Sequence, residues 1–129
     1  MRTRKLRPPD AHHVKAAQGW LELGNHLEAN DELEKVTASL RSHPDVLEVR
    51  FQVYAKAEKW EACLEIGTAL VKLAPKNPSS YLCHAAALHR LKRTHHAHDQ
   101  LLHAVRMFPK DWRVRYALAR YACRLGKLE

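Results

Sequence analysis

Along almost the whole chain the apolar positions fall three and four residues apart, and prolines, asparagines and glycines break the runs at short intervals, which predicts a succession of short amphipathic helices. From Asp10, a candidate N-cap, a first helix is expected to run to about Leu27, with Trp20, Leu23 and Leu27 forming one apolar stripe and Gly24 on the same face, where a missing side chain lets a partner helix come close. Asn30 should cap a second helix carrying Leu33, Val36 and Leu40, ended by His43-Pro44. Asp45-x-x-Glu48 reads as a capping box for a third helix carrying Val46, Val49, Val53 and Ala57. A fourth runs from Lys59 through Ile66 and Leu70 to Leu73. Asn77-Pro78 is a cap followed by proline at the first helical position, and Thr94 is the expected cap of the sixth helix. Lys110-Asp111 opens a seventh, Trp112 to Leu125, with Leu118, Ala119 and Ala122 in packing positions, and Gly126 begins the turn after it. Linkers of two or three residues force each pair back on itself as an antiparallel hairpin. Strand signals are scarce, so the expected class is all-α.

Pro75 and Pro109 stand 34 residues apart, and between them Tyr81-x2-His84-Ala85-x2-Leu88, Ala97-x3-Leu101 and Ala104 fill most large and small slots of one repeating unit. Trp20-x2-Leu23-Gly24-x2-Leu27 fits the opening of the same unit. Over nearly all of residues 15–129 the chain resembles the tetratricopeptide repeat family. The resemblance implies a right-handed α-α superhelix, a solenoid of about seven antiparallel helices. It divides the chain into a basic flexible arm (1–10) and a domain at 11–129, with repeats at about 15–44, 45–75 and 76–109 and a terminal helix at 110–126. The spacing is uneven, since Pro44 and Pro75 are only 31 residues apart. Counting forward from Pro44 and backward from Pro75 gives two different registers for the helix that carries Phe51 and Tyr54.

Family resemblance also implies a concave face, lined by the first helix of each pair, that holds an extended or helical peptide. The positions it selects are Leu21 and Asn25, Phe51 and Ala55 in the forward register, Leu82, Ala86 and His89, then Arg113, Tyr116 and Arg120. Leu21, Phe51, Leu82 and Tyr116 would make an apolar floor. The family's clamp for carboxylate tails needs lysine, asparagine and arginine at set slots, and only Asn25 meets that pattern.

Composition agrees with a helical domain: 46% hydrophobic, 28% charged and only four glycines. Charge changes the picture more. Residues 1–14 carry +3, residues 15–75 carry −3 and residues 76–129 carry +8, which favours a protein or peptide partner with acidic flanks around an apolar segment, with nucleic acid as the alternative. Arginines interleaved with Trp112, Tyr116 and Tyr121 support that alternative. Three cysteines far apart in sequence fit neither a disulfide framework nor a zinc knuckle. A reducing cytoplasm is expected, with no membrane span. His95 and His98 lie three apart and could meet His84 or His89, but nothing completes a ligand spacing, so no metal or other cofactor is expected. No phosphate loop, paired carboxylates or nucleophile-base arrangement occurs, so no enzyme is expected. The apolar strip of the last helix suggests a third function, a self-associating piece of a larger scaffold, paired as a homodimer through that helix.

Overall fold

The computed structural model describes residues 5–126, so the first four residues of the expected basic arm lie outside the described residues. Seven α-helices follow one another: α1 (Asp10–Glu22), α2 (His26–Leu33), α3 (Pro44–Lys56), α4 (Trp60–Leu73), α5 (Pro78–Arg90), α6 (Thr94–Met107) and α7 (Trp112–Arg124). A 3-10 turn at Ala38–Leu40 bridges α2 and α3, and no strand occurs among the described residues. Consecutive helices pack as neighbours, and α1, α3, α5 and α7 also touch in order. The arrangement is an all-α helical-repeat solenoid.

Its repeat is more regular than the prolines suggest. The odd-numbered helices begin at residues 10, 44, 78 and 112, and each is 13 residues long. Two turns after them close alike: Glu58 donates its N–H to the Ala55 carbonyl at 3.0 Å and Lys59 to the Tyr54 carbonyl at 2.9 Å, and Lys92 and Arg93 repeat the pattern on His89 and Leu88. The residues that reverse the chain, Gly24, Glu58, Lys92 and Gly126, all have positive φ and stand 34 residues apart. Pro44 is therefore the counterpart of Pro78, each opening a helix, and not of Pro75 and Pro109, which close repeats. Mixing the two kinds made the first repeats look short.

Correcting that register moves several expected features. The first helix ends at Glu22, because Gly24 takes the left-handed conformation (φ 80°) in the turn, with its N–H on the Leu21 carbonyl and that of Asn25 on the Trp20 carbonyl, both at 2.9 Å. No partner helix approaches Gly24, and Trp20, Leu23 and Leu27 are 36%, 77% and 70% exposed, so they form no buried stripe. Asp10 is not a cap. Buried inside the first turn, its carboxylate accepts from the Thr37 N–H at 2.9 Å and from the Thr37 hydroxyl, tying α1 to the segment after α2. Asn25 caps α2 by accepting from the Glu28 N–H at 3.1 Å, while Asn30 lies within α2 and accepts from Arg50. His43, not Asp45, caps α3, and Arg93 rather than Thr94 occupies the cap position of α6. Asn77 caps α5 as its sequence predicts, and Asp111, in the stretch expected to open the seventh helix, caps α7.

The short α2 stops before Val36-Thr37, two β-branched residues that disfavour a helix. Val36 is nevertheless 1% exposed, and Arg41 donates to the carbonyls of Glu34 and Val36 that helical bonding would otherwise have used. Three cores result, each welding one hairpin to the next helix. Ala17, Ala29, Leu33 and Val36 meet Val46, Val49 and Val53. Phe51, Cys63, Ile66 and Leu70 meet Ala87, and Ala85, Leu88, Ala97, Leu101 and Ala104 meet Val114 and Tyr121. Where α4 crosses α5, Gly67 is a spacing device: a Cβ there would sit 2.8 Å from the His84 Cα.

Candidate binding groove

Because α2, α4 and α6 cover only one side of α1, α3, α5 and α7, the flank of the odd-numbered helices that faces away from their hairpin partners stays open. Its register follows from the 34-residue repeat: Val14, Glu48, Leu82 and Tyr116 are equivalent, and so are Gln18, Gln52, Ala86 and Arg120. Between α1 and α3 the flank sinks into a cavity of about 330 Å³ lined by Ala11, His12, Val14, Lys15, Gln18, Asp45 and Glu48. None of these residues is among the positions that the resemblance selects.

Of the ten sequence-selected residues, Leu82, Ala86, Arg113, Tyr116 and Arg120 lie along this flank; Leu21, Ala55 and His89 are one another's equivalents in a further, partly buried register, and Asn25 and Phe51 lie off it. Leu82, Ala86 and His89 are partly buried along α5, and Arg113, Tyr116 and Arg120 are exposed along α7, with Tyr116 60% exposed. Phe51 is 4% exposed inside the core with Cys63, Ile66 and Leu70, in the register counted back from Pro75. Asn25 is occupied as the cap of α2, and Leu21 leans on the first core. Ala55, the partner of Phe51 in the forward register, is also partly buried against the second core. The continuous apolar floor of Leu21, Phe51, Leu82 and Tyr116 therefore does not form, since Glu48 stands where Phe51 was expected. The signal that could have found Val14, Gln18 and Glu48 was the distance between the two opening prolines, Pro44 and Pro78.

Charge is divided along the flank. Glu48 interacts with Ser79, and the Ser79 hydroxyl lies 3.5 Å from an Arg113 Nη, so a polar thread crosses from α3 over α5 to α7. Burial, with the Asp45 charge adding to it, raises the Glu48 carboxyl above the ordinary glutamate range. Arg113 is held by Asp111 through two further contacts, Nη2 at 3.0 Å and Nε at 3.3 Å, and that hydrogen bonding is what holds the Asp111 carboxyl down. Arg120 lies over the Tyr116 ring at 5.9 Å, and Tyr116 meets Trp112 edge-on at 6.3 Å. His89, bonded to the Thr94 hydroxyl at 2.9 Å and tilted against Tyr121, is pushed below the ordinary histidine range by burial and then by Arg124, Arg120 and Arg90.

The chemistry elsewhere is subdued. Burial raises the Cys63 thiol to about 11 and the Cys83 thiol to about 12, which removes them as nucleophiles, while Cys123 is exposed. Among the described residues no three His, Cys, Asp or Glu side chains could together hold a metal ion. His84 is engaged with Gln100, and His98 is buried rather than solvated, with no hydrogen bond to its Nδ1. No described helix is long and apolar enough to cross a membrane. On α7, Ala122 is buried and Leu118 and Leu125 are partly so, leaving Trp112 and Tyr116 as its large exposed apolar groups.

No family model and no curated protein matches the sequence. Among solved structures, MamA MSR-1 C2 superposes with a TM-score of 0.70 at 19% identity, over 89% of this chain and 66% of that one. At such identity the likeness concerns the fold, and this chain spans just under two thirds of that neighbour's length. The shared architecture is a tetratricopeptide-like helical repeat.

Proposed function

We propose that this chain is a non-enzymatic, cytoplasmic adaptor that holds a segment of another polypeptide along the open flank of α1, α3, α5 and α7. The carrying observation is that flank itself: four helices in one register present a cavity at one end and exposed Tyr116 and Arg120 at the other, with Leu82 and Ala86 between. A cleft of mixed apolar and polar lining, with no catalytic constellation among the described residues, suits recognition rather than turnover. Affinity capture on the immobilised chain at two salt concentrations tests it. A specific partner should be retained at the higher salt and lost from the chain carrying Tyr116→Ala with Arg120→Glu. Retention unaffected by that pair of substitutions would overturn the reading.

The second reading is nucleic-acid binding, favoured by one observation: α7 carries Arg113, Arg115, Arg120 and Arg124 beside exposed Trp112 and Tyr116. An affinity that falls steeply with salt whatever the base sequence is its signature. Pairing of two copies through α7 is a third reading, to be read from the mass in solution at several concentrations.

A further inference from the structure

Two ends of the open flank have opposite charge, and neither end is fully neutralised from within. Asp45 and Glu48 project from the first turns of α3 into the cavity, with Lys15 and His12 of α1 on the same lining. Asp45 is 55% exposed, and His43 reaches it only at 3.9 Å. At the far end Arg120 lies over the Tyr116 ring at 5.9 Å and Arg90 over the Trp60 ring at 4.8 Å, and with Arg124 their positive charge is felt at His89. Among the described residues no carboxylate pairs with these three arginines, whereas Arg113 is already held by Asp111. Between the ends lie Leu82 and Ala86 of α5, partly buried and apolar.

Resting on the adaptor reading, we propose that the segment held here carries opposite charges in a set order: a lysine or arginine in the α1–α3 cavity against Asp45 and Glu48, an apolar residue over Leu82 and Ala86, and a carboxylate side chain against Arg120 and Arg124. From α3 to α7 is two helix spacings, roughly 20 Å at about 10 Å each. An extended chain covers that in about six residues at ~3.3 Å per residue. Charge complementarity of this sort selects partners and sets their direction more than it adds raw affinity. A polyanion such as nucleic acid satisfies one end and is repelled at the other.

Three fluorescent synthetic peptides test the order, all with the same apolar centre and with end charges about six residues apart: lysine and glutamate, two lysines, or two glutamates. Fluorescence anisotropy should rank the mixed peptide first, by about fivefold, the size of one partly exposed charge pair. Glu48→Lys should move the preference to the double-glutamate peptide, and Arg120→Glu should move it to the double-lysine peptide. Asp45→Lys makes the same reversal at an exposed carboxylate, so a misfolded Glu48 variant leaves the test intact. A ranking that stays unchanged across these variants overturns the charge order while leaving the adaptor reading standing. If none of the three peptides binds and a single-stranded oligonucleotide does, both fall.

Discussion

Glu48 shows how one side chain can serve recognition and cost stability. Its carboxyl is raised in the folded chain, so well below the ordinary value of 4.5 both states hold the proton and no penalty arises; as pH climbs through 4.5 and above it the unfolded chain ionises first and stability falls. Glu48→Gln removes that penalty and retains an oxygen and an amide for Ser79. Its melting temperature should equal or exceed that of the parent at pH 7, and the difference should close as the pH falls below 4.5, which differential scanning fluorimetry across pH would reveal. His89 runs the other way, because a histidine held below its ordinary range loses stability as pH drops through the window under 6.5. The cysteines give a simpler readout. With Cys63 and Cys83 shifted up by burial and Cys123 exposed, a thiol reagent near pH 8 should label Cys123 at once and the other two only on unfolding.

Among the elements, the turns that follow the odd-numbered helices carry the repeat, and two of the four place a charged side chain in the left-handed region: Glu58 at φ 59° and Lys92 at φ 65°. Their equivalents are Gly24 and Gly126. Left-handed backbone costs a non-glycine residue about 1 kcal/mol or somewhat more. Lys92→Gly should therefore stabilise by up to about 1 kcal/mol, after the extra freedom that glycine gives the unfolded chain is subtracted. Gly24→Ala should destabilise by about 1 kcal/mol, through φ alone, since a Cβ there meets nothing. Both follow from denaturant titration. Gly67→Ala acts by a different route, forcing α4 away from the α5 backbone at His84, and overpacking of that kind costs about 1–3 kcal/mol. The cap and opening proline at Asn77-Pro78, the helix start at Lys110-Asp111 and the apolar spacing of α4 to α7 made these elements legible before any coordinates. The first hairpin was not legible, because Trp20, Leu23 and Leu27 copy the spacing of a buried stripe and only the turn at Gly24 shows that the chain has already reversed.

For the molecule as a whole, each core joins a hairpin only to the helix that follows, so stability is shared between neighbours rather than pooled. The first hairpin is the weaker end, with α2 at eight residues against fourteen in α4 and α6. Leu33→Ala, at a fully buried position, should cost about 2–5 kcal/mol. In hydrogen exchange that loss should appear in α1 and α2, while the amides of α4 to α6 keep most of their protection. Uniform loss of protection throughout would show one cooperative unit instead.

By itself, the sequence determined that this chain is a run of amphipathic helical hairpins in a repeat, because apolar spacing, caps and short linkers act within a few residues of one another. It also determined the lopsided charge. Tertiary structure decided the register of the first two repeats and with it the lining of the groove. Whether Phe51 or Glu48 faces the open flank depends on a rotation of α3, and that rotation is set by Val46, Val49 and Val53 burying against Ala29, Leu33 and Val36, residues whose contact no local pattern encodes.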